Sequence, residues 1–101
     1  VRMQVEQVPA PEWEQWVADN DAVVLDIREP VEWEMGTLPG AVMIRMGDLP
    51  GQIDSLDASR PTLVVCRSGN RSNYAAAFLA MAGFDRAANL SGGLVALGME
   101  A

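Results

Sequence analysis

The sequence predicts an α/β domain with a mostly parallel sheet, on three observations. Short β-branched runs alternate with helical patterns from one end of the chain to the other, the order from which parallel βαβ units are built. Pro and Gly fall between these runs or at their first turns, so the elements are short and the connections tight. The chain has 101 residues, 50% of them apolar, which fits one domain able to bury a core without staples. No internal repeat, low-complexity tract or Ser/Gly linker divides it. Residues 1–101 are therefore read as a single domain, with the abrupt ends expected of a piece excised from a longer chain.

Gln4 and Val5 are expected to form a short edge strand. Pro9 and Pro11 lead into a helix over residues 12–18, with Trp13, Trp16 and Val17 on one face. Residues 23–27, Val-Val-Leu-Asp-Ile, have the β-branched composition of a strand buried on both sides. Pro30 starts one or two helical turns that Gly36 ends, and Pro39 and Gly40 make a turn before a strand over residues 41–44. Residues 49–56 suit a short helix with Leu49, Ile53 and Leu56 on one side. Thr62, Leu63, Val64 and Val65 form the clearest strand, and it runs straight into Cys66. A loop over residues 66–71 precedes a helix over residues 72–82, apolar on nearly all sides and so expected to be buried, with Gly83 as its stop. Residues 87–90 are the last strand, and Gly92 and Gly93 open a final helix.

Seven basic residues, all Arg, stand against 14 acids, a net charge of −7. Nucleic-acid backbones and anionic membranes are poor partners for such a surface. No run reaches the ~20 apolar residues of a membrane span, and the opening Val1-Arg2-Met3-Gln4-Val5 has no signal-peptide core, so a cytoplasmic protein is expected. One Cys and no His exclude an internal disulfide framework, the usual zinc sites and any triad with a histidine base. The acids crowd residues 1–34, whereas residues 58–84 hold none and contain Arg60, Arg67 and Arg71. A basic window in an acidic chain points to a site for a small anion.

Cys66 leaves a buried strand at its carboxyl end, where ligands bind in parallel sheets, and enters a tight loop with one Gly and two Arg before a helix. Successive N–H groups of such a loop converge on one spot, and the helix adds its positive end. The same field favours thiolate over thiol at Cys66, so the nucleophile needs no histidine base. Gly69 permits close backbone approach, and Arg71 has the planar fork to hold a tetrahedral oxyanion.

The run Cys66-Arg67-Ser68-Gly69-Asn70-Arg71-Ser72 resembles the active-site loop of the rhodanese (thiosulfate sulfurtransferase) family. Three further segments resemble that family's motifs in the same order: Leu25 to Trp33, the turn Gly36-Thr37-Leu38-Pro39-Gly40-Ala41, and Gly83-Phe84 followed by Asn89-Leu90-Ser91-Gly92-Gly93. The resemblance spans nearly the whole chain and implies a mostly parallel five-stranded sheet flanked by helices on both sides. It implies that Cys66 carries sulfur as a persulfide, and that Arg67, Ser68, Gly69, Asn70, Arg71 and Ser72 form the substrate-binding cradle, with no metal and no cofactor. The implied partners are a small anionic sulfur donor such as thiosulfate, or a persulfide donor, and a cyanide or thiol acceptor, a protein thiol included. Related phosphatases have Cys-x5-Arg, whereas Cys66 to Arg71 is Cys-x4-Arg, the sulfurtransferase length. A catalytically silent module that docks on a partner or reports redox state through Cys66 is the alternative. Intact Cys66 and Arg71 favour the enzyme.

Two positions depart from the family pattern: Thr37 stands where His is usual, and Leu97 where Trp is common. Among the remaining residues, Asp26 and Arg28 suit a structural ion pair near the site mouth. Glu29, Glu32 and Glu34 read as a solvated face, Trp13, Trp16 and Trp33 as core, and Gly92-Gly93 as backbone geometry rather than a phosphate loop.

Overall fold

The computed structural model describes residues 4–100, so the expectation for Val1 to Met3 lies outside the described residues. Five strands, β1 (Glu6–Pro9), β2 (Val23–Asp26), β3 (Val42–Met43), β4 (Thr62–Val65) and β5 (Ala87–Ser91), form one sheet in the order β1-β5-β4-β2-β3. Every pairing is parallel. The central strand β4 is buried along its whole length, as its apolar β-branched sequence requires.

Because alternate side chains of a strand point to opposite faces, the sheet separates two cores. Leu25, Val64, Cys66 and Ala87 face one cluster, completed by Ala75, Ala76 and Leu79 of α4 (Asn70–Met81). Val24, Leu63, Val65 and Ala88 face the other, against which Trp13, Trp16 and Val17 of α1 (Trp13–Asn20) are packed. Cys66 thus lies on the α4 side. Between β2 and β4 lie two single-turn helices, α2 (Pro30–Trp33) and α3 (Leu49–Gln52).

Several elements differ from expectation. The first strand is Glu6–Pro9, not Gln4 and Val5, because it is an edge strand whose register is set by backbone pairing to β5. The strand expected over residues 41–44 is cut to Val42–Met43, both exposed. The helix of residues 49–56 is one α turn between 3-10 turns, and the final helix is a 3-10 turn over Leu94–Leu97. The Ala-rich helix is not buried all round: Ser72, Ala75, Ala76 and Leu79 face the sheet, while Tyr74 and Met81 are 72% and 76% exposed. The three Trp are half-buried. Leu97 packs against the α1-side core, so an apolar residue still fills the place where Trp is common. No helix among the described residues is long and apolar enough to cross a membrane.

Candidate active site

Two ion pairs frame the region beyond β2 and β4. Asp26 ends β2 and Arg28 follows two residues later; both side chains are fully buried. Arg28 Nε and Nη2 donate to the Asp26 carboxylate at 2.8–3.1 Å, and Nη2 also donates to the Gly36 carbonyl at 2.6 Å. Asp26 accepts further bonds from Trp33 Nε1 at 3.3 Å and Thr37 Oγ1 at 2.8 Å. Thr37 therefore takes up a structural role at the position where the family pattern has His.

Cys66 emerges from β4 with 1% of its surface exposed. Its Sγ accepts the backbone N–H of Gly69 at 3.1 Å and of Ser72 at 3.3 Å, and lies 3.2 Å from Ser72 Oγ. The loop closes on the start of α4. Gly69 occupies the N-cap position and has no side chain to accept the orphan N–H of the third helical residue. That N–H belongs to Ser72, and Cys66 Sγ takes it. The sulfur is thus the acceptor that caps α4, at the positive end of a 12-residue helix.

What turns the N–H groups inward is the closing segment. Leu94 N–H donates to the Cys66 carbonyl and Val95 N–H to the Arg67 carbonyl, both at 3.0 Å, so the loop's carbonyls face away from the sulfur. This needs close backbone approach. A Cβ on Gly93, whose φ is +67°, would lie 2.3 Å from the Arg67 carbonyl oxygen. Gly69, at φ +94°, faces the Gly92 N–H in the same seam. Gly93 is thus a positioning residue for the loop; the Gly-Gly pair signalled backbone geometry, but not which backbone it meets.

The other residues expected in the cradle spread around this centre. Arg67 is exposed, and Ser68 and Asn70 line an open polar recess of about 630 Å³ beside the loop, together with Gln7, Asn73 and Asn89. Arg71 does not point into empty space: Nη1 and Nη2 fork onto the two Glu32 carboxylate oxygens at 2.7 and 2.8 Å. This corrects the reading of Glu32 as part of a solvated face. Glu32 is also fixed by a capping box, its carboxylate accepting the Glu29 N–H at 3.0 Å. Hydrogen bonds from Arg71, and then the Glu29 N–H, outweigh its partial burial and hold its pKa at about 2. Arg71 is raised above its ordinary value, chiefly by the same hydrogen bonds. Among the described residues, no three His, Cys, Asp or Glu side chains converge into a metal site.

The rhodanese-like domain family model matches residues 10–100. A sulfurtransferase of Allochromatium vinosum is 36% identical over 93 residues, covering 91% of this chain and 87% of that protein. The thiosulfate sulfurtransferase GlpE of Ectopseudomonas mendocina is 37% identical over 84 residues, covering 83% and 77%. In three dimensions, the crystal structure of a rhodanese-like domain protein from Staphylococcus aureus superposes with a TM-score of 0.86 at 27% identity, covering 95% of this chain and 94% of that one.

Proposed function

From the premise that the chain belongs to the rhodanese-like domain family, we propose that it is a sulfurtransferase that carries sulfane sulfur on Cys66. The observation that carries this reading is the aim of the Gly69 and Ser72 N–H groups at one buried sulfur, 3.1 and 3.3 Å away. Donors fixed in this way stabilise negative charge there without reorganising. The Cys-x4-Arg length and the sulfurtransferase relatives support the same reading.

The Cys66 thiolate attacks the outer sulfur of thiosulfate. An S–S bond forms at Cys66, the S–S bond within thiosulfate breaks, and sulfite leaves with the electron pair. A thiolate or cyanide acceptor then attacks the outer sulfur of the persulfide, and Cys66 departs as thiolate. A persulfide donor enters by the same displacement, with its thiolate leaving in place of sulfite. Arg67 and Arg71 supply positive charge for the incoming anion, and Ser68 and Asn70 line the approach. Neither metal nor cofactor is needed for these steps. A lone free thiol suits the reducing cytoplasm, and the net charge of −7 disfavours nucleic acid as partner.

Intact-protein mass spectrometry after incubation with thiosulfate tests this. The expected result is a gain of one sulfur atom on the peptide containing Cys66, removed by cyanide or a thiol and absent in Cys66→Ser. Failure of thiosulfate and of a persulfide donor alike to load a folded protein would overturn it.

A further inference from the structure

Along the wall of the recess beside Cys66 runs a chain of side chains to which the sulfur-transfer steps assign no part, and the orientation of each group in it follows from the one before. Gln7 Nε2 donates to the Val5 carbonyl at 3.2 Å and to Asn73 Oδ1 at 2.7 Å. A backbone carbonyl only accepts, so the Gln7 amide nitrogen faces Val5 and its oxygen faces Asn89. Asn89 Nδ2 donates to that oxygen at 2.9 Å, which turns Asn89 Oδ1 toward Ser72. Ser72 Oγ donates its single proton to Asn89 Oδ1. The hydroxyl therefore presents lone pairs, not a proton, to Cys66 Sγ at 3.2 Å. Asn89 is 3% exposed and Ser72 and Cys66 are 0% and 1% exposed, so water does not substitute for the Ser72 hydroxyl between Asn89 and the sulfur.

We propose that Asn89, oriented by Gln7, is a positioning residue that holds the Ser72 hydroxyl proton away from Cys66 and so sets the balance between thiol and thiolate. In the thiol form, the Cys66 S–H donates to Ser72 Oγ and every group in the line is satisfied. When Cys66 ionises, the sulfur gains most from a hydroxyl donor, and Ser72 supplies it by rotating away from Asn89 Oδ1. That leaves a buried acceptor short of its partner, a cost that falls on the thiolate alone. In a persulfide the charge sits on the outer sulfur, the inner one needs no donor, and the hydroxyl returns to Asn89. The line thus favours the loaded form over the free thiolate. That consequence rests on the sulfurtransferase reading; the effect on the thiol does not.

The test is the pH dependence of iodoacetamide alkylation of Cys66, which involves no sulfur donor. In Asn89→Leu the hydroxyl is released to the sulfur, and the half-maximal pH falls by about half to one unit relative to wild type. Gln7→Ala, at an exposed edge position, lets the Asn89 amide turn over and shifts the profile the same way by less; it serves if Asn89→Leu fails to fold. Ser72→Ala moves the half-maximal pH upward, and adding Asn89→Leu to it changes nothing further, because Asn89 acts through Ser72. An unchanged or raised half-maximal pH in both Asn89→Leu and Gln7→Ala, or an equal downward shift in the Ser72→Ala background, overturns the proposal. A wild type that alkylates as expected but takes up no sulfur would instead count against the sulfurtransferase reading.

Discussion

Asp26 with Arg28 and Glu32 with Arg71 are the same chemistry on opposite terms. The first pair is fully buried, its members two residues apart, and Trp33, Thr37 and the Gly36 carbonyl complete its hydrogen bonds. The second joins residues 39 apart, with Arg71 38% and Glu32 19% exposed at the edge of the cysteine loop. Burial makes the first pair a fixture, since removing one member strands a charge in the core. Exposure makes the second adjustable, because water compensates whichever member is freed. The difference separates a pair that holds the fold from one that, on the proposed function, is placed to exchange its partner for an incoming anion.

The contrast breaks most visibly at Asp26. Asp26→Ala leaves the Arg28 guanidinium buried and unpaired and is expected to cost about 3–5 kcal/mol in urea denaturation. Arg71→Ala should leave stability within about 1 kcal/mol while lowering kcat/KM for thiosulfate about 100-fold, the cost of losing a charged donor to the anion. Equal destabilisation by these two substitutions would erase the distinction.

Glu32→Gln sharpens it further. With the competing carboxylate gone, KM for thiosulfate should fall a few-fold, at a stability cost smaller than that of Asp26→Ala. The smallest expected effect concerns pH. The pKa of Glu32 is held at about 2 against an ordinary 4.5, so its stabilising contribution is complete above pH 4.5 and is lost as pH falls toward 2. The stability difference between wild type and Glu32→Gln, followed by denaturation across that range, should therefore be constant near neutrality and vanish at the acid end.

The half of this contrast written locally was legible in the sequence. Asp26 and Arg28 stand two residues apart after an apolar strand, a spacing that by itself suits a structural pair. Thr62–Val65 and the Cys66 turn were equally plain, because a β-branched run ending in a Gly-containing loop has few other uses. Glu32 was misread because nothing local joins it to Arg71; the sheet brings them together through the order of β2 and β4. Burial of the Ala-rich helix was overstated because apolar composition does not say how many faces are covered, and Tyr74 and Met81 face outward. The Ser72–Asn89–Gln7 line was missed although it left one trace. Asn89 is an amide inside the otherwise apolar run Ala87-Ala88-Asn89-Leu90, and a polar side chain in a buried strand needs a partner.

The position of β4 at the middle of the sheet has a consequence for motion. Strands flanked on both sides exchange their amide protons slowly, while one-turn helices open readily. Cys66 and the start of α4 are moored to β4, whereas Glu32 rides on α2, a four-residue helix with no buried residue. The amides of α2 are therefore expected to take up deuterium well before those of β4, while those of the loop around Cys66 follow β4.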